Sequence, residues 1–216
     1  MLVGYIGAGL AAKAFAPRIG LGSLMAAAFL LDILLWLFVI LHLERAAVPD
    51  DFATRHALIY TFPWSHGLAE AVFWSLAAGF VWTWSGGEGK YFASAPAVIA
   101  ATAFSHWVLD FIVHPPEMPL WGPGSPVLGL GLGQSLALYL EGGLAALGLG
   151  LFLWRRRPGP VPRAVVVGMV LFASMLSAAN AFAATPTASV PTTAGASLLA
   201  MAAVVIVSAL ADRAVP

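Results

Sequence analysis

Residues 92–114 read FASAPAVIAATAFSHWVLDFIVH, a run with the length and apolarity of a membrane span that nevertheless carries His106, Asp110 and His114 at four-residue spacing. About 20 such residues cross the hydrocarbon core as a helix, and an ionised carboxylate at the centre of one costs about 2.5–3.5 kcal/mol. Residues four apart in a helix lie one turn apart on one face, so His106 and Asp110 can reach a common ion. His114 lies about 12 Å from His106 by helical rise and cannot share it from a straight helix. Pro115 and Pro116 end the helix there, which leaves His114 at the membrane surface, behind the ligands, facing a substrate, or as a plain interfacial residue.

The rest of the chain has the same character. Of its 216 residues 61% are hydrophobic and only 9% charged, with a mean hydropathy of +0.91. That is too little polar surface for a soluble domain. A formal net charge of zero implies no basic face for nucleic acid. Without cysteine there are no disulfides, thiolate ligands or thioether-linked haem, so any metal must rely on His, Asp and Glu. Further runs of spanning length fall near 21–43, 65–84, 128–154, 164–184 and 195–211. The segment MLVGYIGAGLAAKAFAPRIG lacks a basic n-region and reads as a short helix or re-entrant segment rather than a secretory signal.

The expected fold is thus all-α, a polytopic bundle of about six transmembrane helices plus that short N-terminal element. Its expected units are 1–154 with the metal site, a basic cytoplasmic loop at 155–163, and an appended hairpin at 164–216. Placing RRRPGPVPR at 155–163 in the cytoplasm puts Lys13, Arg18, Lys90, Arg155, Arg156, Arg157, Arg163 and Arg213 inside, and Arg45 and Arg55 outside. The loops 44–64 and 115–127 then face the extracytoplasmic side.

Within the spans stand Asp32, Glu70, Asp110 and Glu141, with His66 and His106 beside them and no Lys or Arg. Either burial keeps the acids protonated or a bound cation neutralises them. His66 and Glu70 repeat the spacing of His106 and Asp110, so two helices each offer an imidazole and a carboxylate. With Asp32 and Glu141 they supply six N/O ligands, which suits Zn, Mn or Fe better than Mg or Ca. The competing reading is a set of unrelated polar contacts: membrane histidines often hydrogen-bond a neighbouring helix, and Glu141 fits a protonated acid paired with Tyr139. His42, Glu44 and His56 read as solvated residues at the outer edge. Trp64, Trp82, Trp84, Trp121 and Trp154 sit near span ends as interfacial anchors, while Trp74 and Trp107 read as packing. GLGLGQS at 129–135 reads as small-residue helix packing.

Taken together, YTFPWSHGLAEAVFW, SHWVLDFIVHPPEMPLWG and LGLGLGQSLALYLEGG resemble the YdjM-like bacterial membrane proteins described as membrane-bound metal-dependent hydrolases. The resemblance covers about residues 1–154 and falls on Asp32, His66, His106, Asp110 and Glu141. It departs at Tyr5, where the family pattern has histidine after glycine. It implies the bacterial cytoplasmic membrane and hydrolysis.

The leading expectation is a divalent-metal site opening to the extracytoplasmic face, acting on a lipid or lipid-linked ester, with Glu70 or Asp110, whichever is not a ligand, as general base. A proton- or metal-coupled transporter and a non-catalytic subunit of a membrane complex are the alternatives. A haem held by His66 and His106 is disfavoured by the adjacent carboxylates.

Overall fold

The computed structural model describes residues 2–84, 94–183, 185 and 188–213. The loop at 86–90, with Lys90, lies outside them. Helices dominate: α1 (Leu2–Phe15), α2 (Leu21–Ala28), α3 (Leu30–Ile40), the single turn α4 (Phe52–Arg55), α5 (Leu68–Trp84), α6 (Ala95–Val113), α7 (Gln134–Arg156), α8 (Pro160–Ala181) and α9 (Val190–Arg213). Two short antiparallel ribbons complete the order, β1 (Arg45–Ala47) with β2 (Ile59–Thr61) and β3 (Met118–Pro119) with β4 (Val127–Leu128).

Among the described residues, four helices are long and apolar enough to cross a membrane, namely α6, α7, α8 and α9. These mark an integral membrane protein of the all-α class. A fifth span arises if α2 and α3 count as one, bent by 55° at Phe29. Six continuous spans were expected. The run 21–43 is broken instead, and 65–84 contributes only the 17 described helical residues of α5.

α1 is too short to span by itself, yet it is largely enclosed, with Val3, Tyr5, Ile6 and Leu10 covered. It packs chiefly on α7, and the approach is close because glycines face each other. A Cβ on Gly7 would run into the Leu144 carbonyl, and one on Gly148 into the backbone of Gly7. Dispersion between closely approaching backbones is what holds helices together where lipid removes the hydrophobic drive. The α8–α9 hairpin shares this core: Val166, Val170, Ala194 and Met201 pack in one cluster with α1, α2 and α7. Asp212 near the end of α9 pairs with the buried Lys13 ammonium at 2.7 Å and accepts the Leu21 N–H at 2.8 Å.

The basic 155–163 segment is mostly helix. Arg155 and Arg156 end α7, where cations offset the helix dipole, and only residues 157–159 connect it to α8. Trp84, Trp121 and Trp154 are exposed, and Trp107 is buried.

GLGLGQS does not pack as a helix. Residues 129–133 form an extended strap before α7 begins at Gln134. The last carbonyls of a helix lack partners in the helix itself, and the strap supplies them. Leu130 N–H donates to Phe111 at 2.8 Å, Leu132 to Ile112 at 3.3 Å and Gly131 to the His114 carbonyl at 2.8 Å. Gly129, at φ +148°, lies where a Cβ would strike the carbonyls of His114 and Pro115, so glycine spacing here serves a turn and a close approach.

Candidate metal centre

The bend at Phe29 builds the floor of the site. It places Asp32 in the first turn of α3, where the helix N-terminus favours a carboxylate. It also ends α2 at Ala28, whose carbonyl lies 2.7 Å from Nδ1 of His106 on α6. A carbonyl can only accept, so Nδ1 carries the proton, and a neutral His106 then presents a lone pair at Nε2. That nitrogen is fully buried and makes no hydrogen bond of acceptable geometry, although Asp110 Oδ2 lies 3.3 Å away.

His66 meets it from the segment that leads into α5. Its Nε2 lies 3.2 Å from Asp110 Oδ2 and 3.8 Å from Asp32 Oδ1, while His106 Nε2 lies 3.7 Å from the same Asp32 oxygen. Asp32, His66 and His106 form a group able to hold one metal ion, their donor atoms all within 4.8 Å of one another. Asp110 Oδ2 stands beside both imidazoles. A tetrahedral shell with bonds near 2.0–2.1 Å puts its donors about 3.3 Å apart, close to the spacings from Asp110 and somewhat shorter than those from Asp32.

Tyr5 closes one side. Its hydroxyl donates to Asp110 Oδ1, and its ring stacks on His106 at 3.8 Å between centroids. His114 lies 4.0 Å from the same Asp110 oxygen, and its Nδ1 is 2.6 Å from Glu117 Oε1. Burial pushes the His114 imidazole down, but its bond to Glu117 and the charges of Asp110 and Glu117 outweigh this and hold its pKa above the ordinary value.

The six expected ligands are not all gathered. Glu70 accepts the Gly122 N–H at 3.0 Å and so ties the β3–β4 connection to the start of α5. Its expected pairing with His66 assumed one continuous helix, but α5 starts at Leu68 and His66 precedes it. Glu141 is held by the Val3 N–H at 3.3 Å and the Ser177 hydroxyl at 3.1 Å.

No protein-family model, curated protein or solved structure matches the chain.

Glu44, read as a solvated loop residue, is only 2% exposed. Its Oε1 accepts the N–H groups of Trp64 and Ser65, both at 2.8 Å, and its Oε2 the Ser65 hydroxyl at 2.7 Å. Burial pushes its carboxyl up from the ordinary value, and these hydrogen bonds and nearby His66 act against the rise. Ser65 in turn lies 2.7 Å from His66 Nδ1. Ser65 directly precedes His66 in the sequence, the one local signal for it; nothing in the local sequence pointed to Glu44. Of its two neighbours in that reading, His42 is exposed, and His56 lies 2.7 Å from the Ala183 carbonyl.

Asp32, His66 and Asp110 open into a cavity of about 600 Å³, while His106 is fully buried and not among its lining residues. Tyr5, Asp32, His66, Asp110, His114 and Glu141 line it, with an apolar wall that includes Leu35, Trp36, Leu176 and Met201. The α8–α9 hairpin adds Asn180, Thr193 and Ser197.

Proposed function

We propose that the chain is a membrane-embedded hydrolase dependent on one divalent metal ion, held by Asp32, His66, His106 and Asp110, and acting on a lipid or lipid-linked ester. The observation that carries this reading is the meeting of two imidazole Nε2 atoms with two carboxylates, one of those nitrogens buried without a hydrogen bond. Two nitrogen and two oxygen donors favour Zn, Mn or Fe over Mg or Ca. An ion there supplies Lewis acidity toward an ester oxygen and lowers the pKa of water.

The chain's own groups divide the remaining work. Tyr5 orients Asp110 through its hydroxyl and His106 through its ring. Glu70 does not line the cavity with the donors, so the base role considered for it passes to Glu141 or His114, which do. The apolar wall suits an acyl or isoprenoid chain, and the hairpin's Asn180, Thr193 and Ser197 suit the polar part of such a substrate. The resemblance to YdjM-like proteins supports the same chemistry and the bacterial cytoplasmic membrane, and the distribution of Lys and Arg supports a site facing away from the cytoplasm.

The test is elemental analysis of the purified protein beside His106→Ala, followed by a panel of lipid esters. A wild type without stoichiometric transition metal overturns the reading. Glu141, a further carboxylate in the same cavity, favours a second reading, a proton- or metal-coupled carrier. Uptake into proteoliposomes that depends on Asp110, with no ester cleaved, selects it.

A further inference from the structure

We infer that Glu44 and Ser65 form a positioning relay that fixes the tautomer of His66 and so makes its Nε2 a ligand. The inference rests on the metal-binding reading above, and it extends the site to two residues outside the donor set.

Glu44 Oε1 receives two backbone N–H groups and Oε2 receives the Ser65 hydroxyl, and an ionised carboxylate accepts only. A hydroxyl has one proton to give, and Ser65 spends it on Glu44. Its oxygen can then only accept from His66 Nδ1, 2.7 Å away. In the neutral ring that a metal ion would meet, the Nδ1 proton leaves the lone pair on Nε2, the atom that faces Asp32 and Asp110. His106 reaches the same state by a shorter route, through the Ala28 carbonyl. Groups behind metal-bound histidines commonly set ring orientation and tautomer in this way. Here a hydroxyl stands between carboxylate and imidazole, so the direction of the relay depends on which end supplies the proton.

Glu44→Gln exposes that dependence. The amide oxygen must stay on the two backbone N–H groups, which turns the amide nitrogen toward Ser65. That nitrogen donates, Ser65 must then donate onward to His66 Nδ1, and the imidazole proton moves to Nε2. The substitution is isosteric and keeps both backbone bonds, so a merely structural Glu44 would tolerate it. Ser65→Ala instead removes the relay and leaves both tautomers open.

The test uses the full chain in nanodiscs with ¹⁵N-labelled histidine, a tractable spectrum because there are five histidines. In metal-free wild type His66 Nδ1 reports as protonated; in Glu44→Gln it reports as unprotonated, with the proton on Nε2, and in Ser65→Ala as a mixture. Zn²⁺ affinity, by competition with a chelator, falls about 10–100-fold in Glu44→Gln and by a smaller factor in Ser65→Ala. An unchanged His66 tautomer in Glu44→Gln, or Zn²⁺ affinity equal to wild type in both variants, overturns the relay. If wild type binds no Zn²⁺ while the tautomer still inverts, the relay stands and the metal reading falls.

Discussion

His106–Asp110 and His66–Glu70 are the same pair of residue types at the same spacing, and the structure treats them differently. The first lies on continuous α6, so the four-residue interval becomes one helical turn and the two side chains meet at 3.3 Å. The second straddles a helix start. His66 joins the first pair, while Glu70 turns to the Gly122 N–H. Spacing brings side chains together only where the helix is already there, and Gly67 is where this one has yet to begin.

The comparison breaks most visibly at the metal. His106→Ala removes a donor, and its bound metal is expected to fall by at least about 100-fold in affinity, beyond the range for groups behind the ligands, read by chelator competition. Glu70→Gln leaves metal content unchanged by elemental analysis; a loss equal to that of His106→Ala would make the two pairs equivalent after all.

Gly129→Val tests the strap that holds the end of α6. Strain at its φ of +148° and the collision with His114 and Pro115 should cost about 2–3 kcal/mol, seen as a lower melting temperature in detergent. Tyr5→Phe keeps the stacking on His106 and loses the hydroxyl on Asp110. A hydrogen bond to a charged group is worth about 1.5–3 kcal/mol of stability, so the melting temperature in detergent should fall and metal affinity should drop on the order of 10-fold. The smallest effect belongs to Glu70→Gln itself, about 1 kcal/mol or less in stability, with faster proteolysis of the β3–β4 connection as its signature.

Much of the site was legible because lipid makes polar residues conspicuous. Asp32, His66, His106 and Asp110 stand out against apolar neighbours, and periodicity alone put two of them on one face. The rest depended on where helices stop. Nothing in LMAAAFLLD announces the bend at Phe29, since it contains neither proline nor glycine. Glu44 lies in a segment whose charges otherwise look solvated, and it is buried because tertiary contacts bring Trp64 and Ser65 over it. The glycines of 129–133 were read by composition as helix packing, whereas their use depends on positive φ and on the open carbonyls of a distant helix end. Among the described residues the run 21–43 is bent rather than straight for the same reason: apolar length does not reveal a break.

The break between α2 and α3 therefore does more than redirect the chain. On one side of Phe29 it leaves a carbonyl for His106, and on the other it begins the turn that carries Asp32. The two halves of a single hinge thus hold opposite ends of the centre, one by hydrogen bond and one by charge. Straightening the hinge would withdraw both at once, so the bend and the site stand or fall as one cooperative unit.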